Sequence, residues 1–343
     1  MYLSMVVFEE CLAEYHPRMT GHSDLIKIKF MGVQEAMEGQ EYLPDHMLLE
    51  HVEYFVSHPV PAAWGCLCIG EPPEDLFKNN ICLIFPENTD RTSLYHDVQK
   101  IFFLYNSWEM EIRKAMQRNA TLEEMCNLCI PIFEKPIFIH DRNNELLAIA
   151  NEMAGQFSWQ YDETFDKYYL PLEILNTFKS SDEYHKTLHT YGAHVFSAKA
   201  TGYRTLYVNL RIEWVYVGRV CLDEIGTPIR KRDYELLEFF ADNIALAMQQ
   251  GMLLVSDVSN VLSILFKEMI DGKSYTKNQL AKPFSYYKWH IDDMFQCITI
   301  FCRKSDNAIH TATNLTHRLA NMFPNSCVFR NEYQIILVLN LTL

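Results

Sequence analysis

The chain has 343 residues, 49% hydrophobic and 22% charged; that composition is globular and excludes a disordered chain, and the length calls for two or three domains rather than one core. Thirty Lys and Arg against 44 Asp and Glu leave a net charge of −14. Such a surface repels phosphate backbones and excludes nucleic-acid binding by this stretch, unless a basic face is hidden in the sum. The longest basic run, Arg230-Lys231-Arg232, is too short to track a duplex and reads as a solvated helix start. Met1 to Leu12 carries Glu9 and Glu10 and no basic leader, and no apolar stretch approaches the ~20 residues of a membrane helix. The expectation is a cytoplasmic protein with no membrane partner, its ten cysteines reduced thiols.

Three segments follow one another. In the first, 1–119, Ser4 to Tyr15 predicts a short amphipathic helix, and the alternation of Asp24 to Phe30 predicts a half-buried strand. Cys66 to Ile69 and Ile81 to Phe85 predict compact apolar strands, punctuated by Gly70-Glu71-Pro72-Pro73 and Pro86-Glu87-Asn88. Ser93 to Arg118 predicts a long helix, which makes the segment a small α/β domain. In the second, 120–250, Thr121 caps a helix that stops near Pro131, with Glu123 and Glu124 in its first turn. Pro136 to His140 and Glu145 to Ala150 predict a hairpin, and an aromatic-rich irregular middle follows. Tyr203 to Leu210 and Trp214 to Leu222 predict two more strands, and a closing helix begins near Lys231; this order describes a one-sheet α+β sensor domain. In the third, 271–343, Met294 to Cys302 predicts a strand, Ala308 to Met322 a helix, and Cys327 to Arg330 with Gln334 to Leu341 a hairpin.

Between Tyr234 and Met269, positions spaced alternately by three and four residues are apolar except for Gly251. That is the heptad rule, and it predicts a connecting coiled-coil helix over 233–270 with Leu237, Ala241, Ile244, Met248, Val255, Val258, Leu262 and Leu265 as the dimerisation seam. Unbroken, the helix would be about 55 Å long. The alternative is two helices, each packed on its own domain and broken at Gln250-Gly251, where glycine costs roughly 1 kcal/mol relative to alanine.

Catalytic and metal motifs are scarce. Cys126-Asn127-Leu128-Cys129 has no second pair and shares a face with Leu122, Met125 and Phe133, which reads as packing. Cys66 and Cys68 read the same way. His185 and His189 have the i, i+4 spacing of a metal pair but lack the adjoining glutamate of a zinc hydrolase. With no phosphate-cradling glycine loop and no nucleophile elbow, the expectation is a protein that is not an enzyme and holds no metal or cofactor. The aromatic middle offers the best ligand site: Trp159, Tyr161, Tyr168 and Tyr169 to line a cavity, and Arg204, Tyr207 or Arg219 to anchor a polar group.

Leu67-Cys68-Ile69-Gly70-Glu71-Pro72-Pro73, Pro136-Ile137-Phe138-Ile139-His140-Asp141, Tyr203-Arg204-Thr205-Leu206, Val217-Gly218 and Asp233-Tyr234-Glu235-Leu236-Leu237-Glu238, in that order, resemble the PucR/CdaR-type transcription regulators. The resemblance implies an N-terminal sensing domain, a GAF-like domain, a long helix, a degenerate GGDEF-like domain and a C-terminal helix-turn-helix. It further implies a cytoplasmic homodimer that answers a small-molecule effector and reaches DNA only through the helix-turn-helix, expected to be missing from this chain. The hairpin Phe329-Arg330-Asn331-Glu332-Tyr333 replaces the glycines of an active cyclase with bulky residues, and Phe301-Cys302 stands where a metal-binding aspartate would. A DNA-free dimerisation partner of full-length relatives is the alternative, and a thiol- or nucleotide-dependent enzyme a more distant one.

Overall fold

The computed structural model of the chain describes residues 1–343 except 22, 38, 40, 143, 158, 163–166, 213–214, 250–260, 286, 303–314, 317–318, 320–321, 324, 332–333 and 343. The first unit opens with the short strand β1 (Leu3–Ser4) and helix α1 (Met5–Cys11). Strands β2 (Arg18–Gly21), β3 (Lys29–Phe30), β4 (Gly32–Glu35) and β5 (His46–His51), helix α2 (Val52–Ser57), and strands β6 (Gly65–Ile69) and β7 (Ile81–Phe85) follow. Five of these strands form a sheet in the order β2-β7-β6-β5-β4, parallel throughout except at β2. Every residue of β6 and β7 is buried, as parallel strands covered on both faces must be. Helix α3 (Arg91–Gln117) starts where the Asp90 side chain accepts the Ser93 amide. Its Leu94, Val98, Ile101, Phe102, Tyr105, Trp108 and Ile112 recur at threes and fours and are buried with α1 in the largest core.

One stretch of this unit differs from the sequence reading. Asp24 to Phe30 is no continuous strand; Ser23–Lys27 is a 3-10 helix, and only Lys29–Phe30 pairs, with β1. Leu25 and Ile28, three apart, pack on the core while Ile26 is exposed, which is the period of a 3-10 turn. Cys66, Cys68, Cys126 and Cys129 are all fully buried free thiols, as the packing reading expects.

In the second unit, α4 (Leu122–Asn127) begins with a complete capping box: Glu124 N–H donates to Thr121 and Thr121 N–H to Glu124. Helix α5 (Ile130–Phe133), strands β8 (Ile137–Asp141) and β9 (Leu146–Ala150), and the small hairpin of β10 (Gln160–Asp162) and β11 (Lys167–Tyr169) come next. Helices α6 (Leu172–Lys179) and α7 (Asp182–Thr187) precede β12 (Ala193–Phe196), β13 (Thr205–Ile212), β14 (Val215–Asp223) and helix α8 (Lys231–Gln249). The sheet is antiparallel throughout, in the order β12-β13-β14-β8-β9. One face carries Ile137, Ile139, Leu206, Val208, Val220 and Leu222 into the core shared with α4 and α8. The other carries Phe138, Tyr207 and Cys221 toward α6 and α7.

The third unit holds α9 (Val261–Ile270), α10 (Lys277–Ser285) and a three-stranded antiparallel sheet of β15 (Phe295–Phe301), β16 (Ser326–Asn331) and β17 (Gln334–Asn340), in the order β15-β17-β16. Most of the helix expected over Ala308 to Met322, together with Glu332 and Tyr333 of the hairpin, lies outside the described residues.

The seam reading needs correction. Leu237, Ala241, Ile244 and Met248 are buried within the chain, where α8 packs on β13, and Leu262 and Leu265 are buried where α9 packs on β16 and β14. Side chains already covered by their own chain cannot also form a seam with a second copy. Val255, Val258 and the break at Gln250-Gly251 lie outside the described residues. Leu237→Ala should therefore lower the unfolding free energy by about 2–5 kcal/mol through the cavity it leaves. Urea denaturation of wild type and variant at one protein concentration checks this, and a variant that keeps wild-type stability would contradict the burial of Leu237 within its own chain.

Candidate ligand-binding site

The far face of the second sheet is where the site forms. Along β8 and β14, residues one apart point to opposite faces, so Phe138 and His140 on one strand and Arg219 and Cys221 on the other share a side. In β14 the register shifts at Val217, which has no partner between the pairs Leu210–Gly218 and Arg211–Tyr216. This extra residue brings Tyr216 and Arg219 within reach of each other, with the guanidinium 5.8 Å from the Tyr216 ring. Gly218 is required where it stands, because a Cβ there would lie 2.3 Å from the His140 carbonyl oxygen. Over this face lie Phe157, Leu170, Phe178 of α6, Tyr184 of α7 and Phe196 of β12, enclosing a cavity of about 40 Å³.

Arg219 is the unusual member. It is 4% exposed, yet among the described residues no carboxylate comes within ion-pair distance. Its Nη2 donates to Thr187 Oγ1 at 3.0 Å, its Nε has no acceptor, and the rings of Tyr207 and Tyr184 stand 4.6 and 5.5 Å from the guanidinium. Those rings contribute cation–π attraction but no counter-charge. Burial raises the phenol pKa values of Tyr184 and Tyr207 and lifts that of Tyr216 to about 12, and it holds the Cys221 thiol protonated as well. The nearest buried acid on β8, Asp141, accepts the Glu145 amide and sits beside Arg142 instead.

His140 is fully buried and neutral: desolvation first, then the Arg219 charge, push its pKa down to about 3. Its Nδ1 lies 2.7 Å from the Asp141 carbonyl oxygen, so Nδ1 carries the proton and Nε2 is the acceptor. Asn209 Nδ2 and Arg211 Nη2 donate to the Thr187 and Leu188 carbonyls, which pins the end of α7 over the sheet. Tyr207 and Thr190 hydroxyls meet at 3.3 Å and the Tyr184 hydroxyl donates to Asn144.

Of the residues singled out from sequence, Tyr207 and Arg219 line the cavity. Trp159 packs behind it, its ring 5.4 Å from Phe138 and 5.3 Å from Phe157. Tyr161 and Tyr168 face each other across the hairpin at 5.0 Å, both exposed, and Tyr169 pairs with Gln160. Arg204 is at the surface in an ion pair with Glu224. The structure adds His140, Phe138, Thr187, Tyr184 and Phe178. Phe138 and His140 were readable from the alternation of β8, whereas Tyr184 and Phe178 come from a stretch without a clear period. Among the described residues no cluster of His, Cys, Asp or Glu suits a metal ion, and no helix is long and apolar enough to cross a membrane.

No family model and no curated protein matches the chain. Among solved structures, the cofactor-binding GAF domain of the nutrient sensor CodY from Clostridium difficile is similar over 42% of this chain and 97% of its own, at 12% identity and a TM-score of 0.30. The phycoerythrobilin-bound GAF domain of a cyanobacterial phytochrome is similar over 42% and 93%, at 9% identity and a TM-score of 0.32. Bacteriophytochrome RpBphP3 from R. palustris is similar over 68% and 62%, at 12% identity and a TM-score of 0.25. The likeness concerns fold alone.

A second buried charge closes the cover at the other end of the sheet. Asp223 accepts from Thr205 Oγ1 at 2.7 Å and from Gln156 Nε2 at 2.9 Å, and burial raises its pKa from the usual 3.8 to about 6. Between those two values the folded protein holds a proton that the unfolded chain has released, so stability falls as pH rises from about 4 to 6. At roughly 1.4 kcal/mol per unit, the loss is about 2–3 kcal/mol. Asp223→Asn should lack this component, so urea denaturation across pH 4 to 7 should show the wild-type curve dropping relative to the variant; parallel curves would contradict the assignment.

Proposed function

We propose that the chain is the effector-sensing portion of a transcription regulator of the PucR/CdaR type, with the second unit as its small-molecule sensor. The observation that carries this reading is the aromatic cavity holding a buried arginine with no counter-charge among the described residues, an arrangement that makes sense for binding rather than for stability. The 40 Å³ cavity has room for only about three or four waters at ~10–15 Å³ each. An effector must therefore part the rings that cover it, and that displacement is the differential state a signal needs.

The route outward is the sheet itself. Helix α8 covers the opposite face, and its start is held by the first unit: Glu10 of α1 accepts the Lys231 and Arg232 amides at 2.8 and 3.0 Å, and Ser4 donates to Glu235. What supports a binding protein over an enzyme is the state of the cavity's polar groups, since the histidine is neutral with one nitrogen committed, and the thiol is protonated. DNA contact belongs in this proposal to a helix-turn-helix outside the sequence described. The homodimer also belongs to it, with its contact elsewhere than on the six buried seam residues. Light scattering at micromolar concentration should return twice the 40.3 kDa chain mass.

The test is a thermal-shift screen of small metabolites on the intact chain, followed by hydrogen exchange. A stabilising compound is expected, and with it altered protection in both α7 and α8. A chain that nothing stabilises, or a compound that alters protection only at the surface, would overturn the reading.

A further inference from the structure

We propose that the cavity takes a small organic monoanion with an apolar body, its carboxylate paired to the Arg219 guanidinium. The inference rests on the sensor reading and narrows it to one chemical class. A guanidinium taken out of water is costly unless a partner compensates it, and the described residues supply only rings and hydroxyls. The planar fork of arginine matches a carboxylate in a way a point charge does not. With Nη2 committed to Thr187 and Nε unpaired, the group has donors to spare.

The remaining lining sets the rest of the ligand. Phe138, Leu170, Phe178 and Phe196 surround the space with apolar surface that suits a branched or straight hydrocarbon. Among the described residues Arg219 is the sole cation of the lining, because His140 stays neutral. A dianion would leave its second charge against phenylalanine rings without compensation, which disfavours dicarboxylates and phosphate monoesters. The acceptor nitrogen of His140 admits a hydrogen-bond donor on the ligand, so a hydroxyl beside the carboxylate is tolerated. Because the 40 Å³ space has to widen for any acid, those of roughly three to six carbons, which part the rings least, are favoured over larger ones.

The experiment is calorimetric titration of the intact chain with butyrate, 3-methylbutyrate and 4-methylpentanoate. 3-Methylbutyramide serves as the uncharged isostere and glutarate as the dianion. The acids should bind, the amide and glutarate at least 30-fold more weakly. Arg219→Met should abolish acid binding while the ligand-free variant melts at or above wild type, because an uncompensated charge has been removed. Arg219→Lys should keep the charge, lose the fork and bind the acids about tenfold more weakly. Equal binding of acid and amide, undiminished acid binding by Arg219→Met, or a collapse of that variant's fold would overturn the inference. The sensor reading fails separately. Cys221→Phe fills the cavity, so a neutral compound that binds wild type and not Cys221→Phe refutes the anion and leaves the sensor standing, whereas a chain that binds nothing refutes both.

Discussion

Successive residues of a β-strand point to opposite faces, and the second unit depends on that fact. Val220 and Leu222 reach the core under α8 while Arg219 and Cys221 reach the cavity, so helix-packing and cavity-lining side chains sit one residue apart on β14. Ile137 and Ile139 against Phe138 and His140 repeat the arrangement on β8. Interiors are close-packed, so a strand cannot shift toward the cavity without its other face feeling the change. The cavity thus addresses α8 through about one sheet thickness, without a separate transmitting element.

The start of α8 is where that displacement meets the first unit. Lys135, in the turn before β8, and Asp233, in the first turn of α8, form an ion pair at 2.9 Å with both side chains fully buried. Asp233 also accepts the Arg230 amide, and Lys135 donates to the Phe133 carbonyl. Breaking such a pair typically costs 3–5 kcal/mol because a lone buried charge remains. The pair therefore fixes where α8 begins relative to the sheet. Glu10 adds a carboxylate from α1 to the same helix start, where amides without intrahelical partners and the helix dipole favour negative charge. Tilting α8 moves α1, and α1 shares its core with α3.

Sequence pattern revealed the elements better than their partners. The helix beginning near Ser93 and the strands after Tyr203 follow from periods of 3.6 and two, and the buried strands Cys66 to Ile69 and Ile81 to Phe85 from short apolar runs bounded by Gly and Pro. Asp24 to Phe30 failed because Leu25 and Ile28 fit a 3-10 turn as well as the run fits a strand. The seam failed for a related reason. A heptad line departs from a straight helix's stripe by ~20° per heptad. Over the 19 residues of α8 that amounts to roughly 50°, well inside the ~100° stripe of a helix lying on its own sheet. Spacing alone could not say whether Leu237 faces a second copy or β13. Within the site, Tyr207 and Arg219 were readable from alternation, while Tyr184, Phe178 and Thr187 are brought over the sheet by hydrogen bonds from Asn209 and Arg211 that leave no periodic trace.

Two buried charges on one strand have been resolved in opposite ways. Asp223 ends β14 among neutral hydrogen-bond donors with its pKa raised to about 6, so below that pH the structure relieves its charge by taking up a proton. Arg219, four residues earlier, has no such escape, because a guanidinium stays protonated wherever it is placed. Its cost persists at every accessible pH, offset among the described residues only by the rings of Tyr184 and Tyr207 and by hydroxyls. In the proposed sensor a bound carboxylate would offset that cost in addition to making contacts, and only in the bound state. The difference between the two proposed states would then be largest at Arg219, the residue proposed to select the ligand.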